Sequence, residues 1–436
     1  MRLRAPLYPL LLSLALAWPA ASARAAQPSE APAPLDSIFG ASSLDLNSLE
    51  STVLSRNPSL AAMRSAWEAM EARADAAGAW DDPRVEGMVA PQSFGSSAGP
   101  GWSVQVSQMV PLFGQRAAMG QATRAMARSM REDYRAMRLE MLRMTREVYF
   151  QLYLAARSIE VNREIAGLLD QFRRVALQKY AAGTVGQQDA LQADVEQGML
   201  EHQLFAASRT RGEVQARLRA LLHDETDRAF PDPPRDLPHI GHQLADTTFA
   251  AAAANRPELR ANAAAIEARR AEIVAAGRMR LPELMLIGRY DRTMDVPEWR
   301  TMVGAGVTLP LGFGRSGAGV RAARAELRRA EQERIAESDS IRAQVEIARA
   351  RVRESSHELE IIETRVVPAT ERALASVRAG YESNRSDFLT LLTAERDLAR
   401  ARLDRYQSIA TVHMALADLE RAIGLEPAPL REEDSR

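Results

Sequence analysis

The sequence predicts a mainly α chain with a small β part, built as two tandem copies of one unit. Three observations predict it. Of 436 residues, 26% are charged, 46% hydrophobic and only 5% aromatic, a balance typical of long Ala-, Leu-, Arg- and Glu-rich helices. Markers recur at fixed offsets: Asn57-Pro58-Ser59-Leu60 is echoed by Arg256-Pro257-Glu258-Leu259, and Pro83, Pro111 and Arg116 by Pro282, Pro310 and Arg315, all at 199 residues. Tyr180, Leu191 and Ala193 return as Tyr381, Leu392 and Ala394 at 201. In each half the hydrophobic period also switches from helical to alternating and back at prolines. Lys and Arg number 56 against 57 Asp and Glu, so the net charge of −1 makes no case for nucleic acid as a partner. The absence of cysteine removes disulfides, thiolate metal sites, thiol nucleophiles and a lipid anchor on an N-terminal cysteine.

Taken in order, residues 1–26 read as a secretory signal with cleavage near 23–26. Arg2 and Arg4 precede an apolar stretch, and small residues follow at Ala21-Ser22-Ala23. That stretch, interrupted by Pro6, Pro9 and Pro19, falls short of the ~20 apolar residues a membrane helix needs. Residues 27–45 read as a linker. The first repeat, 46–230, opens with a helix from about Leu46 to Ala79 carrying Leu49, Val53, Leu60, Met63 and Trp67 at helical spacing. A strand hairpin at about 84–110 follows, then a very long helix, a tip turn at about 181–187 and a returning helix. After a connector at 231–243, the second repeat, 244–423, repeats the plan with a hairpin at about 283–310 and a tip turn at about 382–387. Residues 424–436 form a tail after the helix stop at Gly424. About 60 helical residues span ~90 Å, a length no compact domain requires.

The strands carry a structural demand. In Trp102-Ser103-Val104-Gln105-Val106-Ser107 apolar and polar side chains fall on opposite faces. The strand lengths approach the ~9–11 residues that cross a bilayer when tilted. Trp80, Phe94, Trp102 and Phe113, then Tyr290, Trp299 and Phe313, stand at strand ends, where interfacial girdles form. A small soluble sheet capping a helical bundle is the competing reading. Four strands cannot close a barrel, so strands of this chain that enter lipid require several copies to pool them.

The tandem halves, the Asn57-Pro58 helix start, the proline-bounded hairpins and the run Tyr180-Ala-Ala-Gly183-Thr184-Val-Gly186-Gln-Gln-Asp189-Ala-Leu191 together resemble the TolC-like outer-membrane efflux family over essentially the whole mature chain. The resemblance implies a homotrimer in outer-membrane lipid, with a twelve-stranded barrel to which each subunit gives four strands, continued by an α-helical tunnel into the periplasm. It implies an exit duct rather than an enzyme, with no cofactor. Its partners would be a periplasmic adaptor (membrane fusion protein) and an inner-membrane resistance-nodulation-division pump. The Pro111-Leu-Phe-Gly-Gln-Arg116 turn and Gln187-Gln188-Asp189-Ala190-Leu191 look most like members serving heavy-metal pumps. The same duct role for drugs, organic compounds or type I secretion, and a soluble periplasmic coiled-coil scaffold, are the alternatives.

By the same resemblance, Asp189 and Tyr381 match an aspartate and a tyrosine that hold the tunnel tip shut, with Arg385 and Asp387 as further latch candidates. An ionised acceptor and a phenol donor form a charge-assisted bond that a partner could break. Asp189 also suits a helix cap. Ala182, Gly183 and Thr184, with Ser383, Asn384 and Arg385, match the tips that dock adaptor hairpins. Thr390 and Thr393 stand where relatives often carry two aspartates, so a carboxylate ring is not expected. Met126, Met130, Met137, Met141 and Met144 read as a core seam, or alternatively as a thioether ladder for Cu(I). His239 and His242 lack further ligands nearby, and no protein metal site is expected.

Overall fold

The computed structural model describes residues 35–90, 101–183, 186–237, 254, 256–294, 296–310, 315–383 and 385–427, with only the backbone of Ser37, Asp189, Ala190, Arg315 and Ser316. The signal, the hairpin loop containing Phe94, His239 and His242, and Phe313 lie outside the described residues. Described here is the unit that begins at Ala33.

The chain forms α1 (Asp36–Phe39), α2 (Leu46–Arg56), α3 (Pro58–Gly78), β1 (Arg84–Ala90), β2 (Gly101–Val110), α4 (Gln115–Ala181) and α5 (Gln187–Leu222). The second repeat supplies α6 (Pro257–Arg278), β3 (Glu283–Asp291), β4 (Thr301–Thr308), α7 (Arg315–Ile361), a π turn (Ile362–Val366), α8 (Val367–Glu382) and α9 (Phe388–Ile423). The expectation of a helical chain with a small antiparallel sheet holds.

Two expectations are corrected. Residues 35–45 are not a linker: Ile38 and Leu44 are buried in the main core, and the Leu44 amide bonds the Asp232 carbonyl at 3.1 Å. Their few apolar residues, set among Asp36, Ser37, Gly40, Ser42 and Ser43, hid how much they bury. The opening helix is also not continuous. Asn57 sits in extended conformation because the residue before a proline is pushed out of the α region. Its side-chain oxygen then accepts from the Ser59 and Leu60 amides, capping α3, while its Nδ2 donates to the Leu221 carbonyl at the end of α5. Helical periodicity runs through this break because both helices pack the same side inward.

The sheet is four-stranded and antiparallel in the order β1-β2-β3-β4. The helices joined to the strands keep that order, α3 against α4, α4 against α6 and α6 against α7. Lower down, α5 packs on α4, and α9 packs on α4, α7 and α8. A wall one helix thick thus continues the sheet. Gly78 and Gly120 allow α3 and α4 to touch backbone to backbone, since a Cβ on Gly120 would lie 3.5 Å from the Gly78 Cα. The main core gathers α1, α2, α4, α5 and α9 around Tyr149, Phe150 and Tyr153, and the Tyr149 hydroxyl donates to the Leu44 carbonyl.

The long helix of the first repeat, α4, is unbroken, whereas its counterpart opens into the π turn just before Pro368. A π turn closes i to i+5, so it absorbs an inserted residue while keeping the helix going. The repeat offset grows from 199 to 201 along this same stretch. The widened turn also relieves the clash of the Pro368 ring with the carbonyl four residues earlier. Met141 is buried and its companions Met126, Met130, Met137 and Met144 are half-buried, the pattern of a packing seam.

Candidate functional site

Two regions hold the residues singled out by the sequence, the sheet and the helix tips, and an ionic belt ties the helices between them.

The sheet registers place Val85, Val89, Val104, Val106, Leu284, Leu286, Tyr290, Val303 and Val307 on one face. Arg84, Glu86, Ser103, Gln105, Ser107, Arg289 and Asp291 share the other. In the interior strands the apolar face is the more exposed: Val104 and Val106 are 38% and 44% exposed, against 5% and 2% for Ser103 and Asp291. A water-soluble sheet is built the other way round. Apolar side chains on the open side and polar ones on the sheltered side suit lipid outside and water within. Trp102 packs on Tyr290 across the strands with ring centroids 5.2 Å apart. Trp80, Phe113 and Trp299 project at the strand ends, and the Arg116 guanidinium lies 3.8 Å over the Trp80 ring. Among the described residues no helix is long and apolar enough to cross a membrane.

At the first tip, α4 ends at Ala181 and Gly183 turns the chain at φ +73°, a conformation natural to glycine. Gly186 begins α5 without a side-chain cap. The side chain of Asp189 and the whole of Thr184 lie outside the described residues, as does Asn384 at the second tip.

The second tip is more tightly bonded. Ser383 donates its hydroxyl to the Ala379 and Gly380 carbonyls, the Arg385 amide bonds the Gly380 carbonyl at 2.7 Å, and the Arg385 Nε donates to the Ser383 hydroxyl. A Cβ on Gly380 would meet the Ser386 hydroxyl and stand 3.2 Å from the Ser386 Cβ, so glycine eases the close turn. Asp387 caps α9 by accepting from the Thr390 amide at 3.0 Å, and hydrogen bonds from Thr390 hold its pKa below the usual carboxylate range. Thr393 returns its hydroxyl to the Leu389 carbonyl.

Tyr381 is buried beside Phe172, Phe388 and Leu391, meeting Phe388 edge-on at 6.1 Å. Lys179, at the end of α4, holds its ammonium 4.1 Å above the Tyr381 ring and donates to the Tyr381 carbonyl. The structure therefore brings Tyr381, Arg385 and Asp387 into one turn and gives Arg385 and Asp387 local bonds within it. Sequence reasoning missed Lys179, whose signal was a lone lysine at a helix end in a chain that otherwise uses arginine.

The ionic belt was also missed. Arg146, 4% exposed, bonds Glu50 of α2 at 2.6 Å and Glu420 of α9 at 3.0 Å. Arg421 bridges Glu140 and Glu258, and Arg143 reaches Glu140, Glu147 and Asp418. Burial pushes the carboxyls of Glu140 and Glu258 up. Arg143 and Arg421 outweigh that at Glu140, as Arg256 and Arg421 do at Glu258, and both pKa values end low. At Glu50 burial wins over Arg146 and the pKa is raised. Toward the tips, Arg396 pairs with Glu196 and Arg173 with Asp194. No group of three or more His, Cys, Asp or Glu side chains that could hold a metal ion occurs among the described residues.

Comparisons with known proteins agree with this geometry. The Outer membrane efflux protein family model matches residues 49–223 and 249–425, one match per repeat. The cobalt-zinc-cadmium resistance protein CzcC of Cupriavidus metallidurans is 22% identical over 329 residues, covering 74% of this chain and 77% of CzcC. Among solved structures, the outer-membrane channel OprN superposes with a TM-score of 0.75 at 19% identity, covering 87% of this chain and 89% of OprN. CusC gives 0.75 at 17% identity, covering 88% and 92%, and the open-state MtrE outer-membrane channel of Neisseria gonorrhoeae gives 0.75 at 19%, covering 87% and 89%. With both repeats matched, and with a sheet turned apolar side out above a one-helix-thick wall, this chain belongs to the outer membrane efflux protein family.

Proposed function

We propose that three copies of the chain close their sheets into one barrel in the outer membrane and their helices into one periplasmic tunnel, forming the exit duct of a tripartite system that exports heavy-metal cations. The observation that carries the duct is the open sheet with its apolar face outward. Its edge strands β1 and β4 leave unpaired backbone groups that lipid cannot satisfy, and pairing β4 of one copy with β1 of the next satisfies them. Two copies would give eight strands, a barrel largely filled by side chains, whereas three open a lumen. The metal cargo is supported by the likeness to CzcC, a protein named for cobalt, zinc and cadmium resistance. The duct supplies a path and a gate. Energy and selection belong to an inner-membrane resistance-nodulation-division pump reached through a periplasmic adaptor.

The gate we assign to the tips. Tyr381 is anchored by Phe388 and by Lys179 of the neighbouring long helix, so displacing the tip of one repeat disturbs the other. Asp189, on the first turn of α5, is the acidic partner we assign to this latch, while Ala182, Gly183, Thr184, Ser383, Asn384 and Arg385 form the adaptor-contacting rim. Deleting the gene should sensitise cells to cobalt, zinc and cadmium to the same degree as deleting the partner pump. Equal resistance with and without the chain would remove the metal reading. Cysteine placed at Val106 should be shielded from water-soluble thiol reagents in intact outer membranes; full labelling would refute the barrel. Asp189→Ala should raise single-channel conductance in planar bilayers, and unchanged conductance would remove the latch.

A further inference from the structure

We propose that the sheltered face of the sheet carries a thioether site for a soft monovalent cation, Cu(I) or Ag(I), centred on Met109 and Met285. The inference rests on the duct reading, which makes that face the wall of a water-filled lumen.

The first observation is a sorting. Met88, Met109, Met285 and Met302 are the methionines of the four strands, and the registers place all four on the polar face. The lipid-facing side uses valine, leucine and tyrosine and has no methionine among the described residues. An apolar side chain gains nothing from lipid on the polar face, where its companions are Arg84, Glu86, Gln105, Ser107 and Arg289. Ile287 is the other large apolar residue there, so packing alone does not require methionine.

The second observation is register. Met109 stands directly opposite Met285, a relation that sets the two Cβ atoms ~4.5–5.5 Å apart, within reach of two flexible thioethers. On the far side of Met285 the next residue in the row is Gly306. The Met285 methyl reclines over that glycine, 3.3 Å from where a Cβ would stand. The missing side chain leaves the thioether room to swing between Gly306 and Met109. Both methionines are half-buried and so reachable from the lumen. The pair also lies at the helix end of its strands, Met109 two residues before Pro111 and Met285 three after Pro282, where cargo leaving the tunnel enters the barrel.

The chemistry selects the cation class. Thioethers favour Cu(I) over borderline divalent ions, which prefer imidazole and carboxylate. A site of two neutral thioethers binds its ion reversibly, tightly enough to compete with a chelator and without the added charge that would trap it, as a conduction path demands. Met88 and Met302 lie on the open edges β1 and β4, so closure of the barrel adds thioethers where copies meet.

The test uses the full-length trimer in detergent under anaerobic conditions, titrated with Cu(I) against a chromophoric Cu(I) chelator. Ag(I) uptake is read in parallel by elemental analysis after desalting. Wild type should retain Cu(I) with sulfur scatterers at the copper absorption edge. Met109→Leu and Met285→Leu should each weaken retention by about tenfold or more, and the double variant should abolish the sulfur signature. Leucine keeps the volume and apolarity, and a heat-modifiable trimer in each variant confirms assembly. Met126→Leu, in the α4 packing seam, should change nothing. The proposal is overturned if the double variant holds Cu(I) as wild type does, or if wild type surrenders all Cu(I) to the chelator. Cobalt, zinc and cadmium resistance in cells carrying the double variant should be intact. Resistance without Cu(I) retention would remove only the thioether site, whereas loss of resistance on deleting the chain tests the duct separately.

Discussion

The two repeats share one plan and occupy different places in the subunit. The long helix of the first, α4, is interior, flanked by α3, α5, α6 and α9, and it buries Leu152 and Tyr153 completely. Its counterpart α7 packs on α6 and α9 and leaves Ile335 and Ile347 each 55% exposed. Isoleucines in the open on an edge helix are what a neighbouring copy would cover. Position therefore shaped the side chains as strongly as ancestry did. The contrast extends to charge. Arg146 sits at the centre of the belt in the first repeat, and the matching position of the second, 199 residues on, is the buried Val345.

The sharpest way to break this contrast is at Arg146. Arg146→Ala removes a buried guanidinium from between the half-buried Glu50 and Glu420 and should cost about 3–5 kcal/mol. It should show as a lowered unfolding midpoint in denaturant, whereas a surface pair such as Arg329 with Glu326 should cost under about 1 kcal/mol. The tips come next. Gly380→Ala makes the Ser386 hydroxyl rotate away and crowds its Cβ, and should cost about 1 kcal/mol, with faster amide exchange over 381–388. Its counterpart at the 201 offset is Lys179, where alanine should loosen Tyr381 without opening the turn.

A smaller effect is expected at Glu395. Asp194 pairs with Arg173 in the first repeat, but the residue matching Arg173 is Leu374, and Glu395 is buried with its pKa raised by that burial. A carboxyl whose folded pKa exceeds its unfolded value weakens the fold when ionised. Glu395→Gln should therefore raise the melting temperature at neutral pH, and the gain should fade as pH falls through the raised pKa. Least is expected at Asp387. Its pKa is depressed, so the stability it adds is present above the unfolded value and is lost as pH falls through the folded one. Asp387→Ala should make the first turn of α9 exchange as fast as that of α5, where Gly186 already provides no side-chain cap.

Much of this was legible in the amino acids because proline, glycine and hydrophobic period are local signals. The hairpins, the tip turns and the repeat needed nothing else. The break at Asn57 was written in the Asn-Pro pair, but apolar periodicity continued across it and masked it. The belt was illegible for a different reason: Arg146 meets Glu50 across 96 residues and Glu420 across 274, and no local pattern pairs charges over such spans. At the tips, the bonds of Ser383 and Arg385 depend on a backbone turn whose shape is decided by Gly380 and Ser386 together.

The π turn in the second long helix bears on symmetry. Three subunits of two repeats would present six hairpins around the tunnel mouth, and identical repeats would make them nearly equivalent. One additional residue rotates everything beyond it on a helix by ~100° relative to the same residues without it. The π turn Ile362–Val366 absorbs one residue without turning the helix beyond it, whereas the repeat offset grows by two, so the remaining residue turns the face of the second-repeat tip relative to its first-repeat counterpart. In the proposed trimer the ring at the mouth would then alternate between two kinds of site and have true threefold order, so a partner arriving there could tell a groove within a subunit from a groove between subunits.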